Sequence, residues 1–245
     1  MGKLTILVTG GTRGLGLAIT RRLAREGYRV VATGRRPSEA LDQVIREASA
    51  AGGAVEFRAL DLSARAGLHD FVHEVTRTFG GLYGLVNNAA VAHDGVLATM
   101  HEAQIAEVLT VNVTHTLMLT KYALRPMLLA RAGRVINIAS IIGFTGFNGL
   151  SVYGASKAAL IGFTRSLARE VGRAGITVNA VAPGYMATDM SAGLGEEQRA
   201  AIQRRTPLGR LVTVEEVAGA VAFLCGPDAA GITGTVLTVD GGSTA

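Results

Sequence analysis

Leu4-Thr5-Ile6-Leu7-Val8-Thr9-Gly10-Gly11-Thr12-Arg13-Gly14-Leu15-Gly16 decides the fold of this 245-residue chain. A short apolar run leads into a glycine turn. Residues 14–26 then follow with helical periodicity, Leu15, Ala18, Ile19 and Leu23 sharing one face. Strand, glycine turn and helix in that order make a cradle for nucleotide phosphates. The glycines let the backbone come close, and the helix start offers unpaired N–H groups to an anion. Gly10, Gly14 and Gly16 are the turn glycines, with Thr12, Arg13 and Leu15 among them.

The same alternation continues to the end of the chain. Further apolar strands are expected at 29–33, 55–60, 83–87, 134–139, 176–182 and 235–239. Amphipathic helices are expected at 38–51 (capped by Ser38), 64–79, 101–131, 153–173, 196–205 and 214–224. This pattern predicts an α/β fold: a single-domain, Rossmann-like, doubly wound parallel sheet of about seven strands with helices on both faces. A hydrophobic share of 49% with 18% charged residues suits strands covered on both sides. No linker or repeat splits the chain, so residues 1–245 read as one domain. The irregular stretch at about 184–207 follows a strand's carboxyl end and is expected to act as a substrate lid.

Several classes of function are disfavoured. No apolar run approaches the ~20 residues that span a bilayer, so no membrane partner is expected. The N-terminal apolar run enters the glycine turn directly and reads as a buried strand, not a secretory signal. Cys225 is the only cysteine, so no internal disulfide can form and a cytoplasmic setting is expected. The net charge of +5 comes from scattered arginines with no interleaved aromatics, so no nucleic-acid partner is expected. His69, Asp70, His73 and Glu74 read as a solvated helix face, and no metal site is assigned.

The end of the second strand bears on the choice of dinucleotide. A carboxylate there would bind the ribose 2′-hydroxyl of NAD, whereas an arginine accommodates the 2′-phosphate of NADP. The chain has Thr33-Gly34-Arg35-Arg36 at this point, with Arg13 in the glycine turn, so NADP(H) is the expected cofactor. Tyr153 and Lys157 stand four apart on one helix face, thirteen residues after Ser140. An ammonium beside a phenol favours the phenolate, so a lowered Tyr153 pKa and general acid–base duty are expected. Together with the cradle, this suggests redox chemistry between a carbonyl and an alcohol.

Joined in order, these motifs resemble the short-chain dehydrogenase/reductase family over essentially the whole chain. The matching segments are Thr9-Gly10-x-x-x-Gly14-x-Gly16, Asp61-Leu62, Asn87-Asn88-Ala89, Asn112, Ser140, Tyr153-x-x-x-Lys157 and Pro183-Gly184 with Thr188. Ala90 departs from the glycine usual after Asn-Asn-Ala. The resemblance implies that Asp61 contacts the adenine, with Leu62 beside it, and that Asn88 and Ala89 line the adenosine ribose. Lys157 would also hold the nicotinamide ribose. Pro183, Gly184, Met186 and Thr188 would fix the carboxamide. Tyr153 would donate the proton, Ser140 would polarise the carbonyl, and Asn112 would hold a water leading from Lys157 to solvent.

Within the family, the segments 166–171, 175–184, 188–190, 207–210 and 220–224 most resemble the 3-oxoacyl-[acyl-carrier-protein] reductases of fatty acid biosynthesis. That implies an acyl-thioester substrate, with acyl carrier protein as a partner received by Arg131 and a base near Arg173. It also implies a homotetramer paired through the long helices. The apolar segment after Ser140 is expected to wall the substrate pocket through Ile142, Phe147 and Leu150. An alcohol dehydrogenase or ketoreductase acting on a free sugar, steroid, polyketide or aryl ketone is the alternative.

Overall fold

In the computed structural model, which describes residues 2–64, 67–186 and 196–245, one sheet carries strands in the order β3-β2-β1-β4-β5-β6-β7. The strands are β1 (Thr5–Val8), β2 (Arg29–Gly34), β3 (Ala54–Ala59), β4 (Gly84–Asn87), β5 (Gly133–Ile138), β6 (Ile176–Pro183) and β7 (Val236–Val239). All of them pair in parallel. The order reverses between β1 and β4, so a crevice opens where their carboxyl ends diverge. Fold class, strand number and the positions of the strands agree with expectation.

Successive strand residues face opposite layers. Ile6 and Val8 pack against helices α1 (Gly14–Arg25), α2 (Glu39–Ala50) and α9 (Val214–Cys225). Leu7 faces the other way, toward α3 (Leu68–Phe79), α5 (Thr116–Ala130) and α7 (Ser151–Val171). Burial on both faces is what makes the strands read as continuous apolar runs. Ser38 caps α2 as expected, accepting from Leu41 N at 3.1 Å.

Two helices differ from expectation. Helix α3 begins at Leu68 instead of Ala64, because Gly67 adopts φ 86°, a left-handed conformation that cannot continue a helix. The long helix expected at 101–131 is α4 (Glu102–Leu109), a π-helical turn (Thr110–His115) and α5. Turns of this kind are wider than an α-turn and are frequent at functional sites. Short helix α6 (Ile142–Thr145) was not foreseen. Helix α8 (Glu196–Arg205) lies where a helix was expected.

A polar thread runs through the otherwise apolar interior. Asn87 and Asn137 are register partners on β4 and β5. Asn87 Nδ2 donates to Asn137 Oδ1 at 2.8 Å and to Thr120 Oγ1 at 2.9 Å, and Asn137 Nδ2 donates to Thr164 Oγ1 at 2.8 Å. The thread fixes α5 and α7 against the strands, and α7 carries Tyr153 and Lys157. No atom of it is among the buried side-chain polar atoms left unpartnered, which is what lets amides sit in a core.

Candidate active site

The glycine turn is built by close approach. A methyl on Gly16 would fall 2.0 Å from the Gly10 carbonyl oxygen, and one on Gly34 would fall 2.9 Å from Thr12 Cγ2. Gly11 N donates to Thr33 O at 2.8 Å, and Ser38 Oγ donates to Thr12 O at 2.6 Å, so the turn rests on the end of β2. Gly10 and Gly14 have φ of 63° and 51°, and a methyl on Gly14 would meet open space. Helix α1 starts there with no side-chain cap and no acid in its first turn. Its N–H groups and positive end therefore face outward. Arg13, Arg35 and Arg36 are exposed beside it, and among the described residues none forms an ion pair. Leu15 packs its side chain on the core.

Thr9 clasps the two strands flanking the crevice, a role that its type alone does not reveal. Its Oγ1 accepts from Asn88 N at 2.9 Å and Ala89 N at 3.0 Å. The Asn88 amide reaches back to Thr9 O at 2.8 Å and Gly10 O at 3.2 Å. Asn88 thus spends its side chain shaping the glycine turn. Ala90 lies outside the left-handed region, so its methyl fits the loop without strain. Asp61 is exposed, and its carboxyl sits below the usual range because Ser63 donates to it through backbone and hydroxyl, with Arg35 adding attraction. The Leu62 side chain is in the core, and its carbonyl accepts from His115 Nδ1 at 2.7 Å.

Ser140 follows β5, while Tyr153 and Lys157 lie in the first two turns of α7. The Ser140 hydroxyl lies close enough to the Tyr153 phenol to lower its pKa, and it accepts from Ile142 N at 3.2 Å. Lys157 is buried, and its Nζ stands 5.5 Å from the Tyr153 ring centre. The expected lowering of the Tyr153 pKa is not what the structure supports. Burial pushes the phenol up to about 12, Ser140 works against the rise, and Tyr185 adds to it. The same burial brings the Lys157 ammonium down to about 8. Desolvation outweighs attraction here, so Tyr153 keeps its proton at neutral pH. A protonated phenol beside a serine hydroxyl can deliver a proton to a carbonyl oxygen.

Asn112 projects inward from the π-turn. Its Oδ1 accepts from Val91 N and its Nδ2 donates to Val91 O, both at 2.8 Å, and Nδ2 also donates to Ser156 Oγ at 3.1 Å. Ser156 in turn donates to Tyr153 O at 2.7 Å. The side chain is committed to positioning, so a water expected at this residue would need its main chain. Ser156 is a positioning residue that was not foreseen.

The loops after β4, β5 and β6 form the rim. Gly95 N donates to Gly149 O at 3.0 Å, tying two of them together. Phe147 meets Tyr185 edge-on at 5.7 Å, and Leu150 is half-buried. Ile142 is buried, with Gly154 packed over it, and so contributes little wall. Pro183 ends β6 and accepts from Ile141 N at 3.1 Å. Gly184 is fixed beside Asp240, and Met186 bridges to Val212. Thr188 and the centre of the expected lid lie outside the described residues. Arg131 and Arg173 do not reach this entrance. Arg131 donates to Arg173 O at 2.9 Å, and the two precede β5 and β6, whereas Ser140 and Tyr185 follow them. Parallel strands therefore place that pair at the opposite sheet edge.

Comparisons with known proteins identify the family. The family model described as Enoyl-(Acyl carrier protein) reductase matches residues 10–244. The chain is 42% identical over 236 residues to 3-oxoacyl-[acyl-carrier-protein] reductase FabG of Vibrio cholerae, covering 96% of this chain and 95% of that one. It is 40% identical over 243 residues to the Haemophilus influenzae FabG, covering 98% of both. Against the Escherichia coli FabG it is 41% identical over 241 residues, covering 98% of this chain and 97% of the relative. At such identity over nearly full length, the chain belongs to the short-chain dehydrogenase/reductase family.

Proposed function

We propose that this protein is an NADPH-dependent carbonyl reductase that converts a 3-oxoacyl thioester, carried by acyl carrier protein or coenzyme A, to the 3-hydroxyacyl form. The observation that carries the reading is the Ser140 hydroxyl set beside the Tyr153 phenol, with the buried Lys157 Nζ 5.5 Å from the phenol ring centre, at the same sheet edge as the glycine turn. The names of the similar reductases point to the same substrate.

The residues present fit a dinucleotide with a 2′-phosphate. The uncapped start of α1 suits a pyrophosphate, and open space beyond Gly14 leaves it room. Arg13, Arg35 and Arg36 suit the extra phosphate, and no carboxylate stands at the tip of β2 to repel it. By resemblance Asp61, Asn88 and Ala89 would border the adenosine side, and Pro183, Gly184 and Met186 the nicotinamide side. When bound, the cofactor supplies the hydride. Ser140 donates to the substrate carbonyl and orients it, and Tyr153 delivers its proton to that oxygen, so no full oxyanion need accumulate. Lys157 holds positive charge beneath the phenol. Asn112 and Ser156 hold the first turn of α7 in place.

The other parts of the reading come from the sequence, and the homotetramer from the resemblance. These are a cytoplasmic setting, a homotetramer, a single catalytic domain over 1–245, and a lid at about 184–207. Among the described residues no helix is long and apolar enough to cross a membrane. The lid reading draws support from its anchorage, since Leu208 N donates to Gly241 O at 3.2 Å at its far end. A ketoreductase for free ketones is the second reading, and the exposed apolar Phe147 favours it. Steady-state assays with NADPH should compare acetoacetyl and crotonyl thioesters with free ketones. Preferred turnover of the acetoacetyl thioester supports the proposal. Preferred turnover of crotonyl thioester or of free ketones rejects it.

A further inference from the structure

Tyr185 follows Pro183-Gly184 at the end of β6, and its hydroxyl oxygen is buried with no hydrogen-bond partner among the described residues. Its ring is held edge-on by Phe147 at 5.7 Å. It is close enough to Tyr153 and Asp94 to interact electrostatically with both. The phenol therefore lies at the same sheet edge as the proton donor, between the loops that follow β4 and β5, with its oxygen closed off from solvent. A phenylalanine would fill this place without stranding a hydroxyl, and a stranded buried hydroxyl is destabilising. Such a group asks for a ligand atom.

The chemistry of that atom is set by the phenol's surroundings. Burial first, and then the Asp94 charge, raise the Tyr185 pKa, so the group remains an O–H donor at neutral pH. It therefore calls for an acceptor. Neighbouring rim donors are already engaged: Gly95 N on Gly149 O, the His93 ring on Glu107, and Thr145 Oγ1 on Ile141 O. Ser140 and Tyr153 both address a single oxygen, the one being reduced. A 3-oxoacyl thioester carries a second carbonyl oxygen, one carbon removed from the first, and that oxygen needs a donor of its own.

We propose that the Tyr185 hydroxyl donates to the thioester carbonyl oxygen of the substrate, and that this contact distinguishes 1,3-dicarbonyl substrates from simple ketones. The inference rests on the 3-oxoacyl reading above. It makes Tyr185 a specificity residue, separate from the proton-transfer pair.

The test is Tyr185→Phe, assayed with NADPH on two matched compounds. One is acetoacetyl-N-acetylcysteamine. The other is its thioether analogue, in which a methylene replaces the thioester carbonyl. The ratio of their kcat/KM values, compared between wild type and variant, cancels the intrinsic reactivity of the ketones. The preference for the thioester should fall about 10-fold, the scale of one hydrogen bond, with Tm unchanged or raised. An unchanged preference overturns the inference. A lowered Tm also overturns it, because the hydroxyl would then already be bonded within the protein. Wild type that reduces only the thioether ketone rejects the substrate reading itself, an outcome distinct from an unchanged preference.

Discussion

Lys157 Nζ donates to the Ile138 carbonyl at 2.8 Å, so α7 hangs on the last residue of β5 by a buried charge. Burial lowers the ammonium to about 8 from the ordinary lysine value of 10.5. That charge opposes folding, and the proposed catalysis is what it would serve. Lys157→Met should therefore abolish turnover yet raise stability at pH 7 by roughly 1–3 kcal/mol, the lost carbonyl bond offsetting part of the relief. Between pH 8 and 10.5 the unfolded chain holds a proton that the folded chain has released. Wild type gains stability as pH rises through that window, so the difference in Tm between the two proteins should shrink there. A variant less stable than wild type at pH 7 would refute this account.

The pH dependence of catalysis has a matching signature. Tyr153, raised to about 12, is protonated throughout the neutral range, so reduction should not lose its acid there. Lys157 loses its charge above about pH 8. Reduction rates should hold through neutral pH and decline on the alkaline side, as a profile of kcat/KM against pH would record. A rate that climbs steadily from pH 7 to 10 would contradict the assignment.

Removing either hydroxyl should damage chemistry more than binding. Tyr153→Phe should lower kcat by about 10²–10⁴-fold, the range for a positioned acid, with NADPH affinity largely kept. Ser140→Ala should lower kcat in the same direction. Wild-type turnover by Tyr153→Phe would remove it from the reaction.

Cofactor preference should respond at the tip of β2. Arg35→Ala should weaken NADPH by ~1–3 kcal/mol, as for hydrogen bonds to charged groups, while NADH binding barely changes. Fluorescence titration with both dinucleotides reads this directly, and equal losses for the two would argue against a 2′-phosphate contact.

Thr9→Val keeps the shape of the clasp and removes its oxygen. Asn88 N and Ala89 N both lose their acceptor. A cost of about 2–3 kcal/mol is expected, which is roughly 4–12 °C in Tm for a chain of this size. Weaker dinucleotide binding should accompany it. Thermal scans with and without NADPH would separate the two effects.

The sheet was legible because buried parallel strands carry their signal in uninterrupted apolar runs, as Thr5–Val8 and Ile176–Pro183 do. Helix ends were legible where a side chain makes the cap, as at Ser38. The break in the long helix was hidden, since residues 110–115 keep helical periodicity while the backbone widens into a π-turn from which Asn112 bonds Val91. In the site, residue types and spacing located Ser140, Tyr153 and Lys157. The direction of the Tyr153 shift was not legible, because it depends on how deeply both groups are buried. The placement of Arg131 and Arg173 was missed for a topological reason: both precede their strands, and only residues beyond a strand's carboxyl end reach this edge. Tyr185 and Thr9 gain meaning only from neighbours far away in the chain.

The bond from Gly95 to Gly149 has a consequence for anyone redesigning this cleft. Two walls that look like separate modules share a seam, so transplanting either one alone from a cousin enzyme would leave a mismatched joint. Directed evolution of new selectivity should accordingly favour paired changes on both sides of that seam.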